Sequence, residues 1–392
     1  TDEAGNRVPD GVYRYVLSST DPAGNSATFQ VEEIRIDTRP TPIRVAISRS
    51  AFSPNGDGVG DELEIRIVPE VKDLIVEWNL EILDQGGRAR RTYGGEAPIP
   101  TVVLFEGEGD DGGELPDGRY VAEATIRYAN GNEPKASSPR FDLDTEAPEV
   151  SASADIDLFS PNGDERQDEV TVIQRGIGGV RWVGEIRDEA GDPVRTITWS
   201  GDPSPTFIWE GEDDTGSPVA TGTYSYVLTG TDAAGNSASS APVRFTKDSR
   251  PRRLFLSLVD EAFSPNGDGR KERAEVTTRV EPTDNTEVLS YLFAVEDRNG
   301  NRVYQQRRNG SIPATLSWEG ESNTGASSGR TATDGEYTAY LTATFANGDV
   351  VRGESEPLLL DTVAPRVEPE TEYLLFSPNG DGRKDSFAVT HE

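Results

Sequence analysis

Apolar and polar residues alternate along Leu63-Glu-Ile65-Arg-Ile67, Tyr120-Val-Ala122-Glu-Ala124-Thr-Ile126 and Tyr337-Thr-Ala339-Tyr-Leu341, and each run is bounded by Gly, Asn, Asp or Pro. Successive side chains of a strand point to opposite faces, so a period of two predicts strands buried on one side only. No stretch of a dozen residues carries an apolar stripe at helical spacing behind a cap, which predicts almost no helix. Roughly seven short strands per hundred residues, with turn signals about every 8–12 residues, predict an antiparallel β-sandwich.

The pattern repeats. Ser-Pro-Asn-Gly-Asp begins at Ser53, Ser160, Ser264 and Ser377, at separations of 107, 104 and 113 residues. Asp10-Gly11-Val12-Tyr13, Asp117-Gly118-Arg119-Tyr120, Thr221-Gly222-Thr223-Tyr224 and Asp334-Gly335-Glu336-Tyr337 keep the same separations. A period of this length is that of a small domain with its own core, longer than any solenoid repeat. Each period closes on Asp37-Thr-Arg-Pro40, Asp144-Thr-Glu-Ala-Pro148, Asp248-Ser-Arg-Pro251 or Asp361-Thr-Val-Ala-Pro365, where proline ends strand pairing. These boundaries divide the chain into the back half of a module (1–40), three complete modules (41–148, 149–251 and 252–365) and the first part of another (366–392). The two partial segments together are too short to make one more module, so the chain reads as a piece of something longer.

Two positions narrow the sandwich to the immunoglobulin type. The Asp-Gly-x-Tyr landmark resembles a tyrosine corner, in which a buried hydroxyl bonds back to the chain, with Tyr13, Tyr120, Tyr224 and Tyr337 at the corners. Trp78, Trp182 and Tyr291 stand where the large core aromatic of strand C is expected, each six residues before Asp84, Asp188 or Asp297. An aromatic-Glu-Gly step precedes each corner, at Phe105, Trp209 and Trp318. Asp21-Pro-Ala-Gly24-Asn25, Ala129-Asn-Gly131-Asn132, Asp232-Ala-Ala-Gly235-Asn236 or Ala346-Asn-Gly348-Asp349 follows the next strand. In this order the landmarks resemble the Ig-like domain of the flagellar hook-capping protein and related modules repeated in large bacterial envelope proteins. The Phe-Ser-Pro-Asn-Gly-Asp opening also resembles the C-terminal module of gliding-motility and type IX-secreted surface proteins. The resemblance implies an all-β chain of tandem immunoglobulin-like antiparallel sandwiches forming an extended array, and implies little about a ligand.

A net charge of −32, from 70 acidic against 38 basic residues, repels nucleic acid and anionic lipid. No run of 18 apolar residues appears, so no direct membrane insertion is expected. Zero cysteine excludes disulfides, thiolate metal sites and cysteine nucleophiles, and shifts the expectation toward an exported protein. The single histidine, His391, is the penultimate residue, which removes histidine bases and Ser-His-Asp arrangements from every complete module. The acids recur alike in each period, whereas an active site is usually singular, so no enzymatic activity is expected.

Laid on a twelve-position calcium loop, Ser53–Glu64 places Asn55, Asp57, Asp61 and Glu64 at ligand positions. Asn162, Asp164 and Asp168, then Asn266, Asp268 and Glu272, then Asn379, Asp381 and Asp385 repeat the core of that set. Departures are Ser at the first position, Glu165 where glycine is wanted, and Thr171 and Ala388 at the last position of the second and fourth copies. The other reading is an Asx-stabilised turn in which Asn-Gly supplies positive φ and Asp bonds backbone amides. Both stand at this point, with calcium as the candidate cofactor and Asp110, Asp111, Asp213 and Asp214 as further acids if the loops are neighbours.

The expected function is a non-catalytic structural or adhesive stalk or filament segment of a large exported bacterial surface protein, extracellular, at the cell surface or periplasmic. Expected partners are neighbouring modules of the same chain, other copies of it, or other envelope proteins. The alternatives are accessory modules of an extracellular hydrolase and an assembly scaffold of a motility or secretion apparatus.

Overall fold

A computed structural model describes residues 4–284 and 286–391; the first three residues of the opening segment, Asn285 and Glu392 lie outside it. The described chain is strand and turn throughout, with one 3-10 turn at Gly325–Ser327.

Within 41–148 two sheets face one another. Ile43–Ile47, Leu63–Pro69 and Val103–Phe105 form one, antiparallel throughout. In the other, Ala51–Phe52 lies parallel to Phe141–Leu143, followed by Gly118–Tyr128, Ile75–Leu83 and Ala89–Glu96, with Lys135–Ser137 also paired to Gly118–Tyr128. The chain therefore changes sheets between Ile47 and Ala51. The same order recurs in 149–251 and 252–365, which makes the fold all-β and immunoglobulin-like. Each sandwich has its own core, among them Leu63, Leu80 and Phe141 in the first, Val172, Trp182 and Phe245 in the second, and Val276, Phe293 and Leu341 in the third. Residues 4–40 contribute a hairpin of Gly11–Thr20 and Ser26–Ile36 that leaves Tyr15, Leu17 and Phe29 exposed.

The expected core aromatics are in place, with Trp78 8%, Trp182 0% and Tyr291 6% exposed on the strands before their acidic turns. Every tyrosine corner closes on the carbonyl four residues upstream. Tyr13 donates to Pro9 at 2.8 Å, Tyr120 to Pro116 and Tyr224 to Ala220 at 2.7 Å, and Tyr337 to Thr333. Replacing Tyr120 by Phe keeps the ring and orphans the Pro116 carbonyl, an expected loss of about 1–3 kcal/mol in that module. Chemical denaturation should show one transition moved and the others unmoved, and an unchanged profile would remove the corner from the account.

These cores also set the repeated loops. The Phe before each complete module's Ser-Pro-Asn-Gly-Asp packs on the aromatic of the aromatic-Glu-Gly step, with centroids at 5.4 Å for Phe52–Phe105, 5.5 Å for Phe159–Trp209 and 5.4 Å for Phe263–Trp318. Pro54 then lies over Gly107, where φ is +83° and a Cβ would sit 2.6 Å from the proline ring. Two landmarks far apart in sequence are thus one packed unit.

Candidate functional site

The four acidic loops share one wiring. Asp61 accepts from the amides of Gly56 and Gly58, both at 2.8 Å, while Asp57 accepts from Val59 at 2.7 Å and Asn55 from Asp57 at 3.0 Å. Asp168 accepts from Asn162, Gly163 and Glu165, and Asp164 from Arg166. Glu272 accepts from Gly267 and Gly269, and Asp268 from Arg270, with Asn266 bonding the Asp268 amide. Asp385 accepts from Asn379, Gly380 and Gly382, Asp381 from Arg383, and Asn379 from Asp381. Glu165 holds φ +65° where the first loop has glycine at +88°. Glu64 is apart from this set, on the strand, bonded to Arg66 at 2.7 Å. Asp110 and Asp214 serve the edge strand, accepting from the amides of Thr92 and Thr196. Asp111 and Asp213 bond within their own turn. What lies beside the second loop is Glu210 and Glu212, and beside the third Glu319. Among the described residues no group of three or more His, Asp or Glu is arranged to hold a metal ion.

Although each loop follows a boundary by about a dozen residues, it lies at the far end of its own module, because the first strand advances roughly 3.3 Å per residue along the sandwich. The first and second loops meet the following module there. Asn236 Oδ1 accepts from Ser53 Oγ at 2.6 Å and from Asn55 Nδ2 at 3.1 Å, and its Nδ2 donates to the Asp144 carbonyl at 2.8 Å. Asp232 braces that turn by accepting from the amides of Ala234, Gly235 and Asn236. The approach is close: a Cβ at Gly60 would stand 2.5 Å from the Ala234 carbonyl. Ser53 is fully buried and Asn236 nearly so.

The next junction is built alike with different groups. Asn162 Nδ2 donates to Asp349 at 2.7 Å, and Asn347 donates to the Asp248 carbonyl at 3.2 Å. At the junction after residue 40, Asn130 donates to the Asp37 carbonyl at 3.3 Å and Asn132 to that of Arg39 at 3.1 Å. In all three, a turn asparagine of the following module holds the exit aspartate's carbonyl of the preceding one.

Charge at these junctions differs. Arg252, 1% exposed in its side chain, pairs with Asp248, with Asp284 at 2.9 Å and with Asp349 at 3.3 Å, and its guanidinium lies over the Phe345 ring. Burial opposes ionisation of Asp248, but bonds from Arg250 and the charge of Arg252 outweigh it and hold its pKa below the ordinary value. Burial likewise opposes ionisation of Asp284, and bonds from Thr286 and Arg252 reverse the balance. At the first junction Arg39 bridges Asp37 at 2.6 Å and Asp73 at 3.0 Å, lowering both acids chiefly through its hydrogen bonds. The middle junction has no such cation on its exit: burial pushes the Asp144 carboxyl up, and nearby Asp232, Asp117 and Glu146 add to the rise.

Residues 183–234 match the FlgD Ig-like domain. The matched segment begins one residue past Trp182 and ends within the junction turn at Ala234, which bears out the resemblance read from the landmarks. No curated protein matches the chain by sequence. Solved structures it is similar to include a tetra-tandem repeat in the extending region of a large adhesion protein, at 18% identity and TM-score 0.33, covering 90% of this chain and 82% of that one. Another is reported in work on host cell surface retention of a 1.5-MDa bacterial ice-binding adhesin, at 15% identity and TM-score 0.34, covering 83% and 99%. The FN1–FN3 domains of chicken CNTN1 align at 10% identity and TM-score 0.27, covering 81% and 97%.

Sequence reasoning found the loops and the turns but not that they meet. Their shared phase was the signal, since two landmarks at opposite ends of every module must face each other across each junction. It also missed Arg252 and the acid it pairs with, Asp284, although Asp284 keeps the phase of Asp73 and Arg252 follows its boundary proline as Arg366 does.

Proposed function

We propose that this chain is a non-catalytic spacer, a stalk segment of a large exported surface protein in which each module is clamped to the next. The observation that carries this reading is the buried Ser53–Asn236–Asp144 contact and its counterpart from Asn162 to Asp349, which join consecutive modules directly. Short exits without a Gly/Ser spacer favour a semi-rigid connection. Periodic acids engaged with backbone amides favour the turn role of the loops over the calcium role, because both carboxylate oxygens of Asp61 are already accepting.

Small-angle scattering and thermal melting, each in EDTA and in millimolar calcium, test both points. The expected result is an elongated particle with the same profile and melting curve in either buffer. A compact globule would overturn the stalk. A rise in melting temperature with a heat of binding would establish the calcium reading, since a ligand of the folded state stabilises by about 2.7 kcal/mol at a hundredfold excess over Kd.

A further inference from the structure

Three features vary together at the junctions. Where the exit is Asp-Thr-Arg-Pro40 or Asp-Ser-Arg-Pro251, the following module has an Ala-Asn-Gly turn, at 129–131 or 346–348, and an acid after its second long strand, Asp73 or Asp284. Where the exit is Asp144-Thr-Glu-Ala-Pro148, one residue longer and acidic, the following module has an Asp-x-x-Gly-Asn turn at 232–236 and only Gly178-Gly179 after that strand. The contacts explain the matching. Arg39 reaches Asp73, and Arg250 reaches Asp284 at 3.0 Å, so each arginine exit needs the acid it faces. An exit glutamate in that position would confront the acid with like charge, and specificity commonly rests on such a repulsive element beside the attractive one.

We infer that the chain has two kinds of junction that alternate, and that exit and following turn are matched so that a module accepts only a successor of the correct kind. The exit Asp361-Thr-Val-Ala-Pro365 has the length and Ala-Pro ending of 144–148, without its glutamate, and so fits an Ig-like module bearing an Asp-x-x-Gly-Asn turn of the type seen at Asp232–Asn236. This inference rests on the clamped-rod reading.

The native chain has no cysteine, so pairs can be introduced for spin labels at exposed edge-strand positions Thr92, Thr198 and Arg308. Electron–electron distance distributions in the full chain should show one narrow peak across each junction. Replacing Ser249-Arg250-Pro251 by Thr-Glu-Ala-Pro is expected to abolish the narrow 198–308 peak and leave the 92–198 peak unchanged. Exchanging Ala346-Asn-Gly-Asp349 for Asp-Ala-Ala-Gly-Asn and Asp284→Gly in the same chain should bring the narrow peak back. The single substitution Arg250→Glu is the milder companion, with a third-module transition still present in urea denaturation showing that the third core persists. Exchanged exits that keep the narrow peak, or a double exchange that stays broad with that core folded, would overturn the matching. Broad peaks at both junctions of the unaltered chain would instead overturn the rod.

Discussion

Replacing Arg252 by Met is expected to destabilise the third module and its junction by about 3–5 kcal/mol, the cost of leaving buried Asp349 without its cation while Asp248 and Asp284 keep only Arg250. The guanidinium is the shared partner of Asp248, Asp284 and Asp349, whose side chains are 3%, 14% and 7% exposed, and among the described residues no other arginine or lysine is paired with Asp349. Methionine fills much of the same volume, so the loss reports charge rather than a cavity. Urea denaturation should show the third module unfolding early while the first holds its midpoint. The same network gives the junctions opposite responses to acid. Asp248 and Asp284 have lowered pKa values, so their stabilisation is complete above the ordinary carboxylate range and is lost as pH falls through the lowered values. Asp144 has a raised pKa, so the middle junction gains stability as pH falls through that raised value toward the ordinary one. Acid should therefore loosen 251/252 before 148/149, and the two peaks of the spin-label experiment would report the order. A wild-type midpoint in Arg252→Met, with both junctions loosening together, would mean the buried cluster contributes nothing net.

The strands, the separate cores and the tyrosine corners were legible because each is written locally. A period-two run fixes its own buried face, and a corner needs only a carbonyl four residues away. The loops were half legible: Asn55, Asp57 and Asp61 make the turn that their spacing allows, but the same spacing also suits a cation, and sequence alone cannot count occupied lone pairs. The junction was not legible, since Ser53 and Asn236 lie 183 residues apart and each also has a local reading, one in a loop and the other in an Asx turn. Lys247 shows the opposite failure. It stands where Leu143 and Leu360 stand in the sister modules, yet it is 2% exposed, with its ammonium donating to the carbonyls of Gly211 and Val219 and its pKa pushed down by burial. The alternation pattern does not show where the ammonium of a lysine in a leucine register finds its acceptors, which here are two loop carbonyls.

Trp182→Ala should cost about 3–5 kcal/mol in the second module, as expected for emptying a large core ring. The ring is fully buried in a slot made by three glycines, where a Cβ at Gly176, Gly179 or Gly230 would lie 2.5, 2.7 or 2.3 Å from ring atoms. Only a chain without side chains at those positions leaves room for indole, which makes the slot and the ring one unit. Gly230→Ala should then be destabilising as well, by roughly 1–3 kcal/mol, because overfilling a packed core forces strain elsewhere. Indole Nε1 has no hydrogen-bond partner among the described residues, and a buried orphan donor is itself costly. Trp182→Phe removes that donor together with part of the ring, so its loss should fall well short of the alanine variant's. Combining Gly230→Ala with Trp182→Phe should cost less than the two separate losses together, since the smaller ring yields space to the new methyl group. Denaturation midpoints of the second module provide the measurement, with the first module as internal reference. Strict additivity of the pair, or a Gly230→Ala chain as stable as the wild type, would mean that the ring does not fill this slot.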